Sequence, residues 1–89
     1  MVATKPIIHL NGSGVENLLG PLKEAVSALS AAADAVAKTA PHPRDYYVSP
    51  NPGLYDKART EHISRLRKIE EIREELTELA VDLIGQQRD

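Results

Sequence analysis

The side chains with chemistry to offer are Arg44, Tyr46 and Tyr47, then His62 and Arg65 further along, and His9 and Asn11 near the start. Two tyrosines beside an arginine can stack on a planar group while hydroxyl and guanidinium donors hold its polar or anionic substituents. That is binding chemistry. The chain has no P-loop, no Rossmann glycine pattern and no nucleophile elbow, and His9, His42 and His62 lie too far apart to form a metal-ligating pair at helical spacing. His62 with Asp45 would make a base and its orienter, but no nucleophile accompanies them. The sequence therefore reads as non-catalytic, with no cofactor and no metal.

Those residues gather around Pro41 to Tyr55, PHPRDYYVSPNPGLY, which holds all three tyrosines of a chain that has no other aromatic residue. Four prolines and a glycine break helix across this window. Two readings fit its aromatics. Tyr47 and Tyr55 could plug the open end of a helical hairpin, or the window could present a platform to a ligand.

The flanking segments must position it. Residues 1–5 have nothing to bury, and Pro6 to Leu10 is apolar, β-branched and too short for a helix, so an extended segment is expected over 1–12. Ser13 and Glu16 have the spacing of a capping box, which starts helix 1 at Ser13 or Gly14. Val15, Leu22, Leu29 and Val36 then recur every seven residues, Leu18, Ala25 and Ala32 interleave, and Leu19, Val26 and Ala33 widen the stripe. The stripe runs through Pro21, which predicts a kinked helix over residues 13–40 that ends before Pro41. Its second half is mostly alanine, so a partner helix can approach closely.

Residues 41–51 form the junction. Helix 2 is expected over 52–85, with Asn51 as N-cap, Pro52 at its first position and Gly85 as its stop. Ile69, Ile72, Leu76, Leu79 and Leu83 follow a/d spacing, and the same register carried backward puts Arg65, His62, Ala58 and Tyr55 on that face. A polar seam must be solvated, paired or occupied by a ligand. Charge divides along the helix in the same way. Lys57, Arg59, Arg65, Arg67 and Lys68 precede position 69, whereas Glu70, Glu71, Glu74, Glu75, Glu78 and Asp82 follow it with Arg73 against them. Pairs such as Glu61 with Arg65 suit a solvated face.

At 89 residues the chain is one domain, residues 1–89, whose lone core would be marginal, so self-association is expected. A net charge of −2, with 11 basic and 13 acidic residues, does not advertise nucleic acid or an acidic membrane. No DNA or RNA duplex and no membrane is therefore expected among its partners. The connector is too long for a helix-turn-helix. The absence of cysteine, of a signal-peptide pattern and of a membrane span fits a cytoplasmic location.

At IHLNG (Ile8 to Gly12) and RDYY (Arg44 to Tyr47), with Ala58, His62 and Arg65 following, the chain resembles a group of small bacteriophage-encoded proteins with an HLNG-type start and an RDYY junction between two helices. Those proteins usually carry threonine where this chain has Ser13, and they lack its Ser49 to Gly53 insert. The resemblance carries no assigned activity. The architecture is similar to phage anti-defence sponges, which sequester the nucleotide messengers of bacterial immunity.

Helix 1 of about 26 residues spans roughly 39 Å, so the HLNG segment lies at the opposite end of the hairpin from RDYY. Antiparallel pairing of two hairpins would bring His9 and Asn11 of one chain to Arg44, Tyr46 and Tyr47 of the next. The expectation is thus an all-α two-helix hairpin that assembles as a helical-bundle homo-oligomer and binds a small anionic, nucleotide-like ligand at its interfaces. The competing expectation is a structural or adaptor oligomer that engages a protein partner through the junction.

Overall fold

The computed structural model describes residues 3–9 and 12–87; Asn11, one of the expected site residues, lies outside them. Two helices, α1 (Val15–Ala37) and α2 (Leu54–Gln87), pack as a hairpin, joined by a connector that contains one short 3-10 turn, Pro43–Asp45. A segment without helix or strand, the N-terminal strap, leads into α1.

The apolar pattern of α1 is realised in full. Its ten residues that are not exposed are Val15, Leu18, Leu19, Leu22, Ala25, Val26, Leu29, Ala32, Ala33 and Val36, the stripe read from spacing alone. The helix runs unbroken through Pro21. That proline has no amide to offer the Asn17 carbonyl, a loss the first two turns tolerate because they sit against α2.

The helix ends differ from expectation. Gly14, in extended geometry, is the N-cap of α1, and no side chain caps it. Ser13 stands one residue too early for its hydroxyl to reach the free amides, so the capping box with Glu16 does not form; Glu16 stays in the first turn, where a carboxylate suits the helix dipole. At the other end the Lys38, Thr39 and Ala40 amides donate to carbonyls three residues back, and the Thr39 hydroxyl donates to the Val36 carbonyl at 2.7 Å. Those tighter bonds close α1 at Ala37, three residues short of the expected boundary.

At the start of α2, Asn51 forms a turn of its own. Its Oδ1 accepts from the Gly53 amide at 3.0 Å, Pro52 lies within that turn, and the Lys57 amide donates to the Gly53 carbonyl to begin the helix. Gly85 does not stop α2, which continues to Gln87; no glycine has the positive φ of a helix-terminating turn, and Gln86 is tethered from outside the helix.

The seam of α2 keeps most of the a/d assignment, since Tyr55, Ala58, His62, Ile69, Leu76, Leu79 and Leu83 are all shielded. It departs in the middle of the helix, where Leu66 and Arg73 take the places expected of Arg65, which is exposed, and Ile72, which is 48% exposed.

The molecule is a rod, 64 × 21 × 18 Å, with a radius of gyration of 19.1 Å against about 12 Å for a compact domain of this length. Its accessible surface is 6823 Å², whereas a compact 9.7 kDa monomer exposes about 5,100 Å². Leu19 and Leu83 are the only large hydrophobic side chains buried among the described residues. Two apolar grooves flank the line of contact between the helices. One is lined by Leu18, Pro21, Leu22 and Ala25 of α1 with Leu76 and Leu79 of α2, and the other by Val26 with Ala80, Val81 and Ile84.

Candidate functional site

The junction is ordered by local polar bonds. His42 caps the 3-10 turn, its Nδ1 accepting from the Arg44 amide at 3.1 Å, and Tyr46 and Tyr47 both donate their amides to the Pro43 carbonyl. Ser49 accepts the Asn51 amide through its hydroxyl at 3.1 Å. The dipeptide Tyr46–Tyr47 is thereby held with its two rings in different surroundings. Tyr46 is half-buried against Tyr55, ring centroids 6.1 Å apart and planes tilted by 54°; Tyr47 is 78% exposed and Val48 beside it 77%. The hairpin plug expected of Tyr47 and Tyr55 is made by Tyr46 and Tyr55.

Two helical turns beyond Tyr55 on the same face is His62. It is 7% exposed, the one buried polar residue among those described, and its Nδ1 has no hydrogen-bond partner there. An imidazole nitrogen removed from water without a partner costs about 1–3 kcal/mol. His62 was legible as a seam residue, but nothing in the sequence marks it as the one the fold buries.

Arg44 and Arg65 are both exposed. Arg65 does not occupy the seam as its register implied; it lies on the flank beside Thr60, Glu61, Ser64 and Lys68. Among the described residues the one ion pair joins Arg73 to Glu70, with Arg73 Nε donating to Glu70 Oε2 at 3.0 Å, so both junction-side arginines are free to meet an external anion. The hydrogen bond from Arg73 holds the Glu70 carboxyl below its ordinary range, and the same bond raises the guanidinium of Arg73.

His9 is at the far end of the rod. The strap that carries it bonds to Gln86 in the last turn of α2, and α2, at 34 residues, spans about 51 Å from there back to the junction. The chain therefore places Arg44, Tyr46 and Tyr47 on the junction, His62 buried two turns along α2 from Tyr55 and Arg65 on the adjoining flank, and leaves His9 at the other end. Tyr55 is a sixth residue at the junction end; the sequence places it on the α2 seam and in the hairpin plug, not among the site candidates.

Among the described residues no cluster of His, Asp and Glu could hold a metal ion, and no helix is long and apolar enough to cross a membrane. No family model matches the chain, and no curated protein or solved structure matches it either.

Proposed function

We propose that the protein is a non-catalytic homo-oligomer of hairpins that sequesters a small anionic, nucleotide-type ligand, of the kind used as an immune messenger, at sites built from the tyrosine junction of one chain and the strap of another. The observation that carries this reading is the exposure of Tyr47 and Arg44 together at the junction, on an end of the hairpin anchored by the Tyr46–Tyr55 pair. Exposed Tyr47 offers a face for stacking on a base, worth about 1–3 kcal/mol, and unpaired Arg44 and Arg65 offer bidentate donors to phosphate oxygens.

The oligomer rests on area. The surface exceeds that of a compact monomer by about 1,700 Å², about twice what each partner contributes to a standard interface. Second copies laid antiparallel on the grooves at Leu22 and Val26 would cover it, and the same arrangement carries His9 to the neighbouring junction. Such pairing also sets the basic half of one α2 beside the acidic half of the next.

The competing reading, an adaptor that docks a protein through the junction, draws on the adjacent exposure of Tyr47 and Val48. A thermal-shift panel of cyclic dinucleotides, cyclic trinucleotides and ADP-ribose derivatives separates the two. A rise in melting temperature with at least one of them supports the binder. No shift with any leaves the adaptor.

A further inference from the structure

The strap carries His9 but has little side-chain contact with which to hold a position. Ile7 is 78% exposed, and of its described residues only Ala3 is buried, a small side chain in a stretch whose sequence offers little to bury. What fixes it is the carboxamide of Gln86. Its Oε1 accepts from the Ile8 amide at 2.8 Å, its Nε2 donates to the Pro6 carbonyl at 2.9 Å, and the same Nε2 donates to Asp82 Oδ2 at 2.8 Å, which sets the orientation of the amide plane. One glutamine thus grips the backbone on both sides of Ile7 through groups every residue possesses, in a site partly shielded from water. A second constraint lies just past His9. The Gly12 amide donates to the His9 carbonyl at 3.2 Å, and a Cβ at Gly12 would come within 2.6 Å of His9 Nε2, so the imidazole lies folded over a glycine that has room for it.

We infer that Gln86 is a positioning residue: through Pro6 and Ile8 it fixes the strap so that His9, folded over Gly12, is presented in one place to the site of a neighbouring chain. The role rests on the composite nucleotide site proposed above, but the clasp can be tested apart from it. A pre-set strap need not be ordered when ligand arrives, so the ordering cost is met in folding and the affinity is higher for it. Asp82 enters as the group that orients Gln86.

The experiment compares wild type with Gln86→Met, which keeps the length and loses every bond, and Gln86→Glu, which keeps only the acceptor for Ile8. Amide exchange at Ile8 and calorimetric titration with cyclic di-AMP and with ADP-ribose are read on each, after circular dichroism and light scattering have shown equal helix content and mass. Ile8 is expected to be protected in wild type, partly protected in Gln86→Glu and unprotected in Gln86→Met, with affinity falling in that order by about tenfold overall, about 1.4 kcal/mol. A freed Ile8 with unchanged affinity would make Gln86 a staple and overturn the positioning role. An unprotected Ile8 in wild type would refute the clasp whatever binds. Protection in wild type with no binding of either nucleotide would sink the nucleotide reading and the positioning role together, and leave the clasp standing. Gly12→Ala supplies an independent check, since it displaces the His9 ring without touching Gln86 and should weaken the same titrations while Ile8 stays protected.

Discussion

The ring of Tyr46 lies 6.1 Å from that of Tyr55, tilted by 54°, and so ties the junction to the first turn of α2. Tyr47, its neighbour in sequence, takes no part in this and stays in solvent. Two adjacent tyrosines therefore have separable duties, one in holding the hairpin end and one in what that end can meet.

Substitution should expose the division. Tyr55→Ala removes an aromatic pair worth about 0.5–1.5 kcal/mol beyond its buried area, so the melting temperature should drop. Tyr47→Ala should leave it within the roughly 0.5 kcal/mol expected of surface changes, yet lower the affinity for whichever nucleotide stabilises wild type. Equal loss of stability in both variants would mean that Tyr47 is structural in the assembly.

Mass in solution tests the open grooves. Light scattering at micromolar concentration should give a multiple of 9.7 kDa, and Leu29→Glu or Val81→Glu should lower it, because each sets a carboxylate on an apolar face that the hairpin leaves partly uncovered. A wild-type mass near 10 kDa would end the oligomer and the composite site with it.

Arg44→Ala and Arg65→Ala should keep the fold, since both side chains are exposed and neither is in an ion pair among the described residues. Both should lose nucleotide binding, and wild-type affinity should fall as salt rises. Ligand released by heating should come back intact; cleaved nucleotide would make the protein an enzyme.

Glu70 gives a pH dependence of known sign. Its folded carboxyl lies below the ordinary glutamate range because Arg73 donates to it, so the stabilisation is present above the unfolded value and disappears as pH falls through the folded one. Glu70→Gln should therefore melt lower than wild type near neutrality and converge with it in acid. The gap should be small, since the pair is half in solvent. A gap that widens toward acid would contradict the assignment.

The fold was legible where a single physical rule governs it. Every inward residue of α1 could be named from period alone, because amphipathic spacing and burial are the same fact in a helix with one partner. On α2 the rule holds except at Arg65 and Ile72, where the line of contact runs instead through Leu66 and Arg73. Ser13 and Gly85 misled for a different reason: capping and stopping depend on the register of the terminus to within one residue, which composition does not fix. For the site, the junction residues were legible by type. The isolation of His62 Nδ1 was not, and Gln86 stood beyond the expected end of the helix, where no rule would look for a clasp.

The bonds from Gln86 to the strap join residues 78 and 80 positions apart, and neither can form until α2 lies antiparallel on α1 and brings its last turn back beside Val15. Docking of the strap is therefore a late step in folding, after the local helices and their mutual closure, with the whole chain as its loop. It also acts as a proofreader. A hairpin paired one heptad out of register would set Gln86 about 10 Å from its place along the axis, the strap would find no clasp, and His9 would be presented only by chains that had paired correctly.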